Sequence, residues 1–90
     1  MTTCVHLTTH REPVEPDSRD ACSDCLREGT PWVHLRECLD CGHVACCDSS
    51  PRRHATAHFR RSGHPVVQSM EPGEQWVWCY ADNQLAEQPA

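Results

Sequence analysis

Four short patterns of cysteine and histidine carry the chemistry of this chain. Cys22-Ser23-Asp24-Cys25 and Cys38-Leu39-Asp40-Cys41 each have the two-residue gap that lets a pair of thiolates meet one tetrahedral ion. His54 and His58 stand one helical turn apart, so a helix presents both on one face. Cys46 lies between the second cysteine pair and these histidines, and His64 follows them. These eight donors suffice for two closed four-coordinate zinc sites. Closed sites hold structure, because a catalytic zinc keeps one position open for water. The last pattern joins the chain ends: Cys4-Val5-His6 can put two donors on one face of an extended segment, and Cys79 is followed three residues on by Asp82. Zinc accepts carboxylate oxygen, so Cys4, His6, Cys79 and Asp82 are expected to close a third site.

Disulfides are the competing use of eight cysteines. They suit short exported chains, but the N-terminal Met1-Thr2-Thr3-Cys4-Val5-His6 has neither the basic region nor the apolar run of an export signal. Disulfides would also leave the histidines without a role, whereas zinc uses both residue types. His10, His34 and His43 are expected to be surface or supporting residues rather than ligands. Cys47, beside Cys46, cannot easily join the same tetrahedron and is expected to be a small buried thiol. Its functional alternative is a redox or metal-handling protein using a Cys47 thiolate favoured by nearby metal. No nucleophile–base pair is evident, so the chain is not expected to be an enzyme.

The composition explains why metal is needed. The 90 residues have a single-domain length, yet contain no Ile and only thirteen Leu, Val and Phe together. Chains this poor in large apolar residues do not normally fold by burial alone. The formal charge is −5 with eight Arg and no Lys. Nucleic acid, which requires a basic face, is therefore not an expected partner. No apolar run approaches the roughly 20 residues of a membrane span, and a cytoplasmic monomer is expected. The absence of Lys beside abundant Arg points to a GC-rich, bacterial type of coding sequence.

The elements that must position the donors can be read coarsely. Arg11 to Asp20 is a polar, Pro-interrupted surface loop. Trp32 to Arg36 reads as a strand leading into the second cysteine pair, and Val44-Ala45-Cys46 as another. A helix is expected from Arg52 to Arg61, capped by Ser49 or Ser50, with Pro51 in its first turn and Gly63 at its end. Pro65 to Ser69 and Gln75 to Tyr80 read as strands joined by a turn at Glu71-Pro72-Gly73. A single domain over residues 1–90 is expected, ordered over about 3–85, with a polar, fraying tail from Asn83.

Taken together, Cys22-x₂-Cys25, Trp32, Cys38-x₂-Cys41, Val44-x-Cys46, His54-x₃-His58, Gly63-His64-Pro65 and Trp78-Cys79-Tyr80 resemble the UBP-type zinc finger. This is the ubiquitin-binding zinc finger of some deubiquitinases and of a cytoplasmic histone deacetylase. The resemblance runs from Cys4 to about Leu85 and suggests a stand-alone bacterial member. Eleven of the twelve ligand positions of three-zinc members match, and Asp82 stands where those members have a cysteine. The resemblance implies an α+β fold: a small zinc-stabilised domain with a twisted antiparallel sheet, one main helix and cross-brace zinc sites. It assigns Cys22, Cys25, Cys46 and His54 to one ion, and Cys38, Cys41, His58 and His64 to a second. Cys4, His6, Cys79 and Asp82 take the third.

The resemblance also implies a function, namely capture of a free Gly-Gly carboxylate in an aromatic pocket where an Arg pairs with it. Trp32, Trp78 and Tyr80 match pocket aromatics. The pocket Arg is here Asp48, and a second pocket tyrosine is Leu85. Replacing the Arg by Asp turns a charge-assisted pair into repulsion, a swing of several kcal/mol in a partly buried pocket. Arg52 or Arg53 is the expected source of compensation. The sequence therefore points to a non-catalytic module binding a peptide or protein terminus, with ubiquitin-tail specificity not expected to transfer.

Overall fold

The computed structural model describes residues 4–8 and 11–87, so His10 lies outside the described residues. Five short strands are built from alternating residues: β1 (Leu35–Cys38), β2 (Val44–Cys46), β3 (Val66–Ser69), β4 (Trp76–Cys79) and β5 (Gln84–Glu87). They form one antiparallel sheet in the order β2-β1-β3-β4-β5. Period-two alternation is plainest in β4, where Val77 and Cys79 are buried while Trp76 and Trp78 face the other way. The pairing aligns Glu37, Gln68, Val77 and Ala86 across one face. On the other face the same register collects Arg36, Val67, Trp76, Trp78 and Leu85.

Three helices surround the sheet: α1 (Val5–Thr8), α2 (Ser23–Glu28) and α3 (His54–Ser62). The apolar core is correspondingly small and divided. One cluster joins Leu35, Val44, Ala45 and Ala55 to the buried Cys22, Cys25 and Cys46, and another joins Val66 and Val77 to Cys4 and Cys79. Three of the seven residues of the first cluster and two of the four of the second are cysteine, so the core and the donor sets overlap.

Several elements differ from the sequence reading for local reasons. The Cys4–His6 region is not extended, because Val5–Thr8 makes a helical turn. Cys22 caps a helix that the knuckle pattern did not reveal: its sulfur accepts from the Cys25 N–H, and Gly29 closes the helix in the left-handed region at φ 73°. The main helix starts at His54, not Arg52. Ser50, one of the two expected caps, instead accepts from the Val33 N–H at 2.8 Å, and Arg53 stands at the N-cap in a left-handed conformation at φ 46° without a side-chain cap bond. Its C-terminus is as read, with the Gly63 N–H bonded to the Phe59 carbonyl at 2.8 Å. The expected strand over Trp32–Arg36 begins only at Leu35. Within the polar tail read from Asn83, Gln84–Glu87 pairs along β4 as a strand.

The loop before α2 is fixed to the sheet by Asp17. Its carboxylate accepts from the Val44 N–H at 2.8 Å, and its own N–H bonds to the Gly42 carbonyl at 2.8 Å. Gly42 is required there: φ is +80°, and a Cβ would lie 2.1 Å from the Glu15 carbonyl oxygen.

Candidate metal centres and an aromatic pocket

The fold brings twelve donors into three groups of four. These are Cys22, Cys25, Cys46 and His54; Cys38, Cys41, His58 and His64; and Cys4, His6, Cys79 and Asp82. Within each group the donor atoms all lie within 4.8 Å of one another. A tetrahedral zinc at ordinary bond lengths sets edges of about 3.7 Å between sulfurs and about 3.5 Å between sulfur and nitrogen. In the first group the Cys25 and Cys46 sulfurs are 3.7 Å apart, and His54 Nδ1 lies 3.2 to 3.5 Å from the three sulfurs. In the second, Cys38 Sγ is 3.6 Å from His64 Nδ1, and Cys41 Sγ is 3.3 Å from His58 Nε2. These are coordination edges. A sulfur pair at 3.7 Å is far outside disulfide distance.

The third group is tighter on its carboxylate side. His6 Nδ1 lies 3.6 and 3.5 Å from Cys4 and Cys79, but Asp82 Oδ2 is only 2.8 Å from Cys4 and 3.0 Å from His6. A zinc edge to oxygen is about 3.4 to 3.6 Å, so seating an ion requires Asp82 to draw back by about half an ångström. Asp82 is exposed and His6 half-buried, while Cys4 and Cys79 are buried; in the second group Cys41 is exposed and both histidines are half-buried.

Burial pushes the Cys22 thiol up to about 12 and the Cys38 thiol up to about 11. Without a counter-charge, burial keeps these thiols protonated. Thiolates become stable at such positions when a divalent ion supplies the local charge. His54 is oriented for the purpose. Its Nε2 meets Glu28 Oε2 at 3.1 Å, which leaves Nδ1 turned toward the cysteines, and Arg52 holds the other Glu28 oxygen at 3.1 Å. His43 is a supporting residue of another kind. It bridges Asp17 at 2.8 Å and Asp24 at 2.9 Å while its ring lies 4.7 Å from that of His58. His34 is exposed, and its carbonyl accepts from the Cys47 N–H.

Donors are used alternately along the chain: the first group takes the knuckle at Cys22, the second takes that at Cys38, the first returns for Cys46 and His54, and the second for His58 and His64. This interleaving is a cross-brace, and it makes α3 the tie between two centres. Residues 22–90 match the family described as the zinc finger in ubiquitin hydrolases and other proteins. The chain belongs to this UBP-type zinc-finger family. Its fold is also similar to the solution NMR structure of protein RPA1320 from Rhodopseudomonas palustris, with a TM-score of 0.82 and 44% sequence identity. That match covers 99% of this chain and 90% of the other. Family domains bind zinc, and all three groups in this UBP-type finger could each hold one ion.

A pocket of about 200 Å³ opens on the sheet face away from Val77 and Cys79. Arg36, Trp76 and Trp78 form its floor, with Asp48, Tyr80 and Leu85 around it. The Arg36 guanidinium lies 4.4 Å from the Trp76 ring centroid. Tyr80 stacks on Phe59 at 5.3 Å and meets Trp78 edge-on at 6.5 Å. Asp48 is held by the Thr56 hydroxyl at 2.5 Å. Burial raises the Tyr80 phenol pKa above its usual value, the nearby Asp48 carboxylate adding to the effect.

Of the residues nominated from sequence for a ligand, Asp48, Trp78 and Tyr80 line this pocket. Trp32 does not; it packs against the cluster of Cys22, Leu35 and Ala55. Arg52 and Arg53 do not either, since they border a separate groove along α3. Arg36 and Trp76 were missed. The signal was available in principle, because alternation in β1 and β4 places both on the face opposite Glu37 and Val77. Cys47 lies outside all three donor groups and is 4% exposed. Burial pushes its thiol up, but hydrogen bonds with Ser50 and with the backbone at Ser49 and His34, together with the Arg36 charge, bring it below the ordinary thiol value. Among the described residues no titratable base hydrogen-bonds its sulfur.

Proposed function

We propose that this zinc finger is a non-catalytic binding module that receives the end of a peptide or protein chain in the pocket of Arg36, Trp76, Trp78 and Tyr80. The three donor groups each hold a structural zinc in this reading, with Asp82 as the single oxygen ligand. All three ions are fully ligated by protein, and the module works as a cytoplasmic monomer without a nucleic-acid or membrane partner.

The observation that carries the reading is the state of Arg36. Its guanidinium lies over Trp76, and among the described residues it has no ion-paired carboxylate. A planar guanidinium prepared in this way suits a terminal carboxylate, which it can meet with two parallel hydrogen bonds. The small volume of the pocket fits one or two residues rather than a long segment. Asp48, standing where the family pairs an Arg with the carboxylate, repels an anion on its own side. The carboxylate therefore turns toward Arg36, and the free oxygen of Asp48 accepts a ligand N–H.

The test is a titration of the zinc-loaded protein, followed by Trp fluorescence, with short Gly-Gly-ending peptides that differ only in a free or an amidated C-terminus. The free acid is expected to bind at least tenfold tighter, and Arg36→Met to abolish that preference. Equal binding of acid and amide would overturn the reading.

A further inference from the structure

We propose that the outer face of α3 is a second binding surface, a docking groove for a short acidic segment of a partner protein. Arg52, Arg53, Arg60 and Arg61 line a groove of about 530 Å³ there, with Thr56 and Ala57 between them. All four arginines are exposed. Helical periodicity puts residues 56, 57 and 60 on one face, away from Ala55 and Phe59, which turn toward the core, and Arg53 joins that face from the N-cap position.

The charge of this face is not the charge of the molecule. The chain carries −5, yet half of its eight arginines lie between positions 52 and 61, and no Asp or Glu occurs from Ser49 to Met70. Only Arg52 is matched, by Glu28 at 3.1 Å. Among the described residues Arg53, Arg60 and Arg61 have no carboxylate partner. Arg53, at the N-cap of α3, makes no side-chain cap bond, and the His54 N–H is taken by the Cys46 sulfur at 3.2 Å, so the charge of the groove is that of its arginines.

The occupant follows from charge and length. Three unpaired guanidiniums fit carboxylates bidentately. The nine residues of α3 extend over about 13 Å, a length spanned by about four residues of extended peptide. A nucleic acid would track its phosphates well beyond so short a basic stretch, into a surface dominated by the thirteen acidic residues. Thr56 borders both the groove and, through Asp48, the aromatic pocket, but docking in the groove needs no chain end.

The experiment is fluorescence anisotropy of the zinc-loaded protein with a labelled hexaglutamate acetylated and amidated at its ends, so that the pocket is offered no terminus. Binding is expected, weakening as salt is raised, and falling at least tenfold in Arg53→Glu/Arg60→Glu with zinc stoichiometry unchanged. Should that variant lose zinc, Arg53→Gln/Arg60→Gln must show a weaker loss of the same sign. The proposal is overturned if hexaglutamate does not bind or if the variants bind it like the parent. Tighter binding of a single-stranded oligonucleotide of equal charge overturns it as well.

Discussion

Glu37 is the most direct probe of how little slack the core has. It sits in β1 at 3% exposure, on the sheet face aligned with Gln68 and Val77. Gln68 Nε2 donates to one oxygen at 2.5 Å, and the other oxygen has no partner among the described residues. Burial raises its pKa above the usual carboxylate range, the Gln68 bond offsetting only part of the effect. A raised folded pKa means that the native state binds the proton more tightly than the unfolded chain. The penalty is therefore absent below the unfolded value near 4.3, grows as pH rises through the folded pKa, and is constant above it. Glu37→Gln keeps the acceptor for Gln68 and removes the charge. At pH 8 it is expected to stabilise by about 1–2 kcal/mol, the scale of an imperfectly bonded buried polar group. For a chain of this length that raises Tm by about 5–10 °C. The assay is thermal unfolding of parent and variant at one fixed free-zinc concentration, so that metal linkage cancels in the difference. A variant no more stable at pH 8, or a gap that widens as pH falls, refutes the reasoning.

Two further outcomes test the metal centres. Glu28→Gln weakens the bond that orients His54, so zinc affinity at the first group should fall about 10- to 100-fold in chelator competition while stoichiometry at excess zinc is unchanged. The third group, which needs Asp82 to withdraw, should lose its ion first; native mass spectrometry during chelator titration should show a two-zinc species, which Asp82→Cys delays and Asp82→Asn brings forward.

What the sequence made legible was whatever lies in residue type and short spacing. Cysteine and histidine at knuckle and helical intervals name their own chemistry, and the interleaved donor groups fall as the family pattern implies. β3 and β4 were readable because Val66, Val67 and the Trp76–Cys79 run carry a strand pattern bounded by turn residues. The start of α3 was not, since Ser50 and Pro51 look like a cap yet the Ser50 hydroxyl is committed to Val33 across a gap of seventeen residues. β5 escaped because Gln84–Glu87 is polar by composition and becomes a strand only through pairing with β4.

The pocket is the instructive case, because its key residue depends on a property no local pattern carries. Leu35-Arg36-Glu37-Cys38 contains both a cation and a carboxylate, and the strand must turn one to each face. The register set by Arg36 opposite Ser69 and Glu37 opposite Gln68 puts the cation over Trp76 and buries the acid. A slip of one residue would exchange them, burying Arg36 and presenting Glu37 to the aromatic floor. What fixes the register lies at the strand's end: Cys38 must meet His64 and the Cys38 carbonyl must accept the Gly42 N–H for the knuckle to close. The metal centre thus sets the sign of charge in the pocket. The burial penalty at Glu37 is the cost of holding Arg36 over the Trp76 ring.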